Sequence, residues 1–109
     1  MGQKICDHII LVRKFCFCAK YLLTLLSLCS REAIENLDSI LDLPGLDGAF
    51  VGPSDLSISL GFPPSGSPTE PVVTKAIDKV LEGCKKRGKL RFIYCGDKER
   101  ARQMLDKGW

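Results

Sequence analysis

A chain of 109 residues has room for one small domain, since domains typically run to roughly 100–150 residues. With 45% apolar and 27% charged residues it has the composition of a folded protein, which excludes a disordered tail and a coiled-coil rod. A net charge of +3 is too small for a concentrated basic face, so no nucleic-acid partner is expected.

The averages conceal a division. Residues 1–29 carry four basic residues (Lys4, Arg13, Lys14 and Lys20), one acid (Asp7) and four of the six cysteines, so the whole net charge lies there. Their apolar residues come in three bursts, Ile9–Val12, Phe15–Ala19 and Tyr21–Cys29, none of which reaches the roughly 18 uncharged residues of a spanning helix. Tyr21–Leu28 has the character of a signal-peptide core, with Ser27 and Cys29 small enough to precede a cleavage point, but the long stretch before it and Asp7 oppose that reading. Gly2 lacks the Ser or Thr that myristoylation requires at position 6, where Cys6 stands. Cys16 and Cys18 are the only close cysteine pair, and with no second pair the thiols read as reduced and apolar in a cytoplasmic setting. His8, the only histidine, has no nucleophile pattern around it. Association of residues 9–28 with a membrane is the alternative placement.

From Ser30 onward the pattern is regular. Ser30 is an N-cap, and Ala33, Ile34, Leu37, Ile40 and Leu41 recur at helical spacing until Leu43-Pro44-Gly45 stops the helix. Leu46–Val51 is a short apolar run between Gly and Pro and predicts a buried strand. Gly52-Pro53-Ser54-Asp55 ends it, and Leu56–Leu60 forms a helical turn behind a Ser or Asp cap. Gly61–Pro71 is a loop by composition. The helix after it has an apolar face of Val72, Val73, Ala76, Ile77, Val80, Leu81 and Cys84, with Gly88 as its stop. Lys85, Lys86, Arg87, Lys89 and Arg91 read as a solvated helix end favoured by the helix dipole. Leu90–Cys95 is a second strand, and Asp97 caps a last helix with an inner face of Ala101, Met104 and Leu105. Strands alternating with helices imply a parallel α/β sheet. Two strands cannot complete one, so residues 30–109 read as part of a larger α/β domain.

The segment Leu43-Pro44-Gly45-Leu46-Asp47-Gly48-Ala49-Phe50-Val51-Gly52-Pro53-Ser54-Asp55-Leu56-Ser57, with Gly61 a short loop later, closely resembles the active-site segment of the HpcH/HpaI aldolases. The helix after it, Gly88-Lys89 and Ala101–Gly108 keep that family's order. The resemblance covers residues 30–109 and implies the C-terminal portion of a (β/α)8 TIM barrel, preceded by an unrelated apolar segment, 1–29. It also implies a lyase that cleaves 4-hydroxy-2-oxo acids to pyruvate or a related 2-oxo acid and an aldehyde. The implied cofactor is Mg2+ or Mn2+, with no organic cofactor, and full-length relatives are expected to be homo-oligomers. In such barrels the chemistry sits at the C-terminal ends of strands, where Asp55 lies. The resemblance makes Asp55 a metal ligand and Gly52, Pro53, Ser54 and Asp55 the substrate-binding turn, with the Ser54 and Asp55 N–H groups facing the substrate carboxylate. From the residues alone Asp55 is a helix cap before it is a ligand.

The sequence departs from the family at one telling position. The family's preceding strand ends in Gln-x-Glu, whose Glu is the second metal ligand. This chain has Ser27-Leu28-Cys29 there, and Cys29 is a degenerate ligand because thiols suit softer ions than Mg2+. The family's enolate-stabilising arginine and its histidine base come from earlier segments without a counterpart here. Two function classes follow: an aldolase-family lyase present as an incomplete chain, or a non-catalytic truncated isoform or gene-model fragment that associates with membranes or other subunits.

Overall fold

The computed structural model describes the backbone of Ile9 and Ile10 and all of residues 25–109. The expectations for Gly2, Cys6, Asp7, His8, Cys16 and Cys18, and most of the signal or anchor reading, lie outside the described residues.

Strand β1 (Ile9–Ile10) pairs antiparallel with β2 (Leu25–Ser27), which is followed in sequence by helices α1 (Arg31–Glu35) and α2 (Leu37–Leu41). Then come β3 (Gly48–Val51), α3 (Pro53–Ser59), α4 (Pro71–Arg87), β4 (Leu90–Ile93) and α5 (Lys98–Lys107). The sheet order is β1-β2-β3-β4, and β2, β3 and β4 run parallel. Both strands expected from residue 30 onward are present, and β2 joins them ahead of it. It lies inside the apolar burst Tyr21–Cys29, where no alternation marks a strand.

The caps act as their residue types dictate. The Ser30 hydroxyl accepts from the Ala33 N–H at 3.1 Å and the Asp97 carboxylate from the Arg100 N–H at 2.7 Å. Pro53 and Pro71 open their helices, where the missing N–H costs nothing. The helix expected over Ser30–Leu41 is broken at Asn36. Its side-chain N–H2 donates to the Glu32 carbonyl at 2.9 Å and competes there with its own backbone N–H at 3.0 Å.

One sheet face supplies Leu26, Leu28, Ala49 and Val51 to the core, which Leu37, Ile40, Leu41, Leu56, Val73, Ile77, Val80 and Cys84 complete from the helices. Two residues expected on inner faces are not there. Val72 is 53% exposed, in line with Lys79 seven residues on, and Leu105 is 67% exposed, leaving Met104 as the buried residue of α5. The opposite sheet face leaves Phe50, Leu90, Phe92 and Tyr94 exposed.

The basic run at the end of α4 is engaged rather than simply solvated. Arg87 spans Asp42 (2.7 Å) and Asp38 (3.1 Å), tying α4 to α2, and its hydrogen bond holds the Asp42 carboxyl below the usual carboxylate range. Lys89 donates to the Leu46 carbonyl at 2.7 Å, and Arg91 to that of Gly108 at 2.7 Å.

Candidate functional site

The C-terminal ends of β2, β3 and β4 open on one rim. At the end of β2 the chain passes through Leu28 and Cys29 to the Ser30 cap, and the Leu28 N–H bonds the Phe50 carbonyl at 2.8 Å, so pairing with β3 continues beyond the strand itself. Pairing of β4 likewise continues through the Tyr94 N–H to the Val51 carbonyl at 3.1 Å. Cys29, Gly52 and Tyr94 are thereby held at the same end of three neighbouring strands.

At the end of β3 the chain turns into α3 with Gly52 as N-cap and Pro53 as first helical residue. The intrahelical bonds begin with the Leu56 N–H to the Gly52 carbonyl at 3.0 Å, which leaves the Ser54 and Asp55 N–H groups ahead of the ladder. Pro53 is buried, Ser54 half-buried and Asp55 exposed. The expected capping role of Asp55 does not hold, because the helix starts earlier than Leu56: Asp55 sits within the first turn and no side chain caps α3. A carboxylate there still gains from the helix dipole.

Gly52 is the hinge of the arrangement. A Cβ built on it would stand 3.1 Å from Cys29 Sγ and 3.7 Å from Asp55 Oδ2, so the absent side chain leaves a small space that both the thiol and the carboxylate border. Cys29 Sγ also lies 3.0 Å from the Ser27 hydroxyl, on the same strand face. The structure therefore brings Cys29, Gly52 and Asp55 together, with Pro53 and Ser54 in the connecting turn. Among the described residues no group of three His, Cys, Asp or Glu side chains converges.

Two supporting residues were not singled out as site residues from the sequence, although Ser57 closes the quoted segment. Ser57 is fully buried and its hydroxyl donates to the Pro53 carbonyl at 2.7 Å, bracing the turn from below. Ser59 accepts from the Arg31 N–H at 2.8 Å, which locks the start of α1, and hence Cys29, against α3. Their helical spacing was legible, but their partners are set by tertiary contacts. Tyr94 is the third addition: it continues the alternation Leu90, Phe92, Tyr94, and its ring reaches the Gly61–Pro71 loop near Gly66.

Similarity to known proteins agrees with this geometry. The family model described as HpcH/HpaI aldolase/citrate lyase matches residues 14–109, extending across the compositional division at residue 29. The 4-hydroxy-2-oxo-heptane-1,7-dioate aldolase of Salmonella arizonae is 40% identical over 79 residues, and the Escherichia coli protein of that name 38% over the same length. These alignments take in 72% of this chain and 29% of the relative, so the chain spans less than a third of the curated relatives it matches. An HpcH/HpaI aldolase/citrate lyase family protein from Burkholderia cenocepacia superposes with a TM-score of 0.76 at 33% identity, covering 81% of this chain and 34% of its own. An HpcH/HpaI aldolase from Desulfitobacterium hafniense gives a TM-score of 0.69 at 27% identity, covering 80% and 33%. The three parallel strands and their helices are thus a section of a TIM-barrel-type α/β fold, and the chain belongs to the HpcH/HpaI aldolase/citrate lyase family.

Proposed function

We propose that this chain represents one corner of an aldolase active site: the part of a lyase that receives the carboxylate of a 4-hydroxy-2-oxo acid, whose cleavage yields pyruvate or a related 2-oxo acid plus an aldehyde. The observation that carries the proposal is the Gly52–Asp55 turn at the C-terminal end of β3, where the Ser54 and Asp55 N–H groups precede the helical ladder. Such groups, with the Gly52 backbone unobstructed by a side chain, suit a carboxylate. Pro53 sets the entry angle and Ser57 braces the carbonyl behind it.

The family implies a divalent metal, Mg2+ or Mn2+, that would act as a Lewis acid on the 2-oxo acid. The donors of this chain do not fit it. Hard ions take oxygen ligands, whereas the space over Gly52 is bordered by the exposed carboxylate of Asp55 and the thiol of Cys29. The chain by itself is therefore assigned substrate-carboxylate binding and no turnover, and the complete reaction to a protein that supplies the remaining barrel strands. Homo-oligomerisation belongs to that complete protein. Cytoplasmic residence is supported by the free thiols of Cys29, Cys84 and Cys95 among the described residues. A membrane role for residues 1–29 is the alternative; among the described residues no helix is long and apolar enough to cross a membrane.

The test replaces the matched segment of the Escherichia coli relative with residues 25–109 and measures metal-dependent pyruvate release from a 4-hydroxy-2-oxo acid, beside the 109-residue chain itself. The chimera is expected to be inactive with Cys29, to gain activity with Cys29→Glu, and to lose it again with Asp55→Ala. A Cys29→Glu chimera indifferent to Asp55→Ala would overturn the assignment. Turnover by the isolated chain that vanishes in Asp55→Ala would overturn the claim that it lacks a complete site.

A further inference from the structure

The helix layer carries an open groove that none of Cys29 and Gly52–Asp55 lines. On one side α4 presents Val72, Lys75, Ala76 and Lys79, the spacing of a single helical stripe; on the other α1 presents Arg31, Ile34 and Glu35. Leu60, at the end of α3, completes the lining. The groove holds about 310 Å3, and Val72 is half exposed within it. Its apolar side chains are all aliphatic, and around them stand three cations against one carboxylate. Those cations are loosely held. Arg31 Nη2 donates to the Leu60 carbonyl and Lys79 Nζ to the Ile34 carbonyl, each at 3.4 Å, the outer limit of a hydrogen bond. Among the described residues no ion pair involves Arg31, Lys75 or Lys79, whereas Arg87 holds Asp38 and Asp42 and Lys107 holds Asp78.

We infer that this groove docks an acidic amphipathic helix of a partner protein, with aliphatic side chains of the partner on Ile34, Leu60 and Val72 and its carboxylates on Arg31, Lys75 and Lys79. A helix ridge seats between two helices, and anchors a turn apart reach along such a groove. Charge decides among the occupants. A second copy of this chain, related by a two-fold axis through the groove, would set three cations against the same three, and like charges brought together oppose docking. An anionic lipid surface is entered by an apolar face that projects from the protein, whereas here the aliphatic residues lie between the basic side chains of two helices. A helix with carboxylates beside its aliphatic stripe satisfies both the shape and the charge. The inference goes beyond the aldolase reading and does not depend on it.

The test uses a fluorescein-labelled, alanine-based helical peptide with two leucines one turn apart and glutamates flanking them, beside versions with glutamine or lysine in place of glutamate. Its anisotropy is followed as the full 109-residue chain is added. The glutamate peptide should bind about tenfold or more tightly than the glutamine peptide, and its affinity should fall as salt rises. Lys75→Glu combined with Lys79→Glu should reverse the preference, so that the lysine peptide binds in place of the glutamate one. Val72→Asp should abolish binding of the glutamate peptide while the far-ultraviolet circular dichroism is kept, because an acid in the first turn of α4 suits the helix dipole. Arg102→Glu, which reverses an exposed charge on α5, should leave the titration unchanged. No binding of the glutamate peptide, equal binding of the three peptides, or glutamate-peptide binding that survives Lys75→Glu with Lys79→Glu would each overturn the inference. So would co-sedimentation with phosphatidylserine vesicles that is lost in that double variant while the peptide goes unbound, which would assign the groove to a lipid surface. A dimer in sedimentation equilibrium abolished by the same double variant would assign it to a second copy. Each outcome is read without aldolase turnover, so it stands apart from success or failure of the chimera.

Discussion

Gly48 is the position at which the smallest substitution should do the largest damage. It faces Leu90 in the parallel register of β3 and β4. A Cβ placed on it would stand 2.8 Å from the carbonyl carbon and 2.8 Å from the Cβ of Leu90, and closer still to the carbonyl oxygen, all well inside the 3.4–4 Å of ordinary contact. These atoms belong to backbone or to the first side-chain carbon, so no rotamer change relieves the clash. β4 must move away bodily and strain the bond from the Leu90 N–H to the Asp47 carbonyl, now 2.9 Å. Overpacking of this kind costs about 1–3 kcal/mol, and a weakened buried ladder bond adds about 1 kcal/mol. Gly48→Ala should therefore lose roughly 2–4 kcal/mol. Gly45→Ala is the control: its φ of +83° is unfavourable for a side chain, but nothing lies within 4 Å, so backbone strain alone applies at about 1 kcal/mol. Urea unfolding followed by circular dichroism should place Gly48→Ala below Gly45→Ala, with the m-value unchanged in both. Adding Leu90→Ala should not rescue Gly48→Ala, because the Leu90 Cβ and carbonyl remain. A Gly48→Ala chain as stable as Gly45→Ala would refute the close approach of β3 and β4.

The exposed face formed by Phe50, Leu90, Phe92 and Tyr94 should bind an apolar fluorescent dye in the folded chain, and Phe50→Ser with Phe92→Ser should cut that signal at a cost of about 1 kcal/mol or less each; a folded chain that leaves the dye dark would contradict it. The Arg87 hydrogen bond depresses the Asp42 carboxyl below its ordinary value of 3.8, so its contribution to stability is fully present above that value and is lost as pH falls through the depressed folded value. Asp42→Asn should accordingly flatten the acid limb of the stability profile below pH 3.8, and an unchanged limb would count against the pairing with Arg87.

Local chemistry made most of the ordered region readable. The caps at Ser30 and Asp97, the stop at Gly88 and, Val72 apart, the buried stripe of α4 depend on residues within a turn or two of one another, and each is where the sequence places it. The GAFV strand and the Gly-Pro-Ser-Asp turn were legible for the same reason, and so was the family resemblance they carry. Three things depended on tertiary structure. β2 has no alternation to betray it, since Leu26 and Leu28 are buried by helices far along the chain while Leu25 and Ser27 face the other side. Asn36 interrupts a helix whose apolar spacing runs straight through it, because a side-chain amide competes for one carbonyl. The meeting of Cys29 with Asp55 over Gly52 is the third: the residues were identifiable singly, but only the parallel pairing of β2 with β3, and the lock of Arg31 on Ser59, bring the sulfur beside the carboxylate. Sequence by itself determines what a segment does with its own neighbours, because turn and cap energies are local; which segments become neighbours is decided by burying their apolar faces together, a choice made by the whole chain at once.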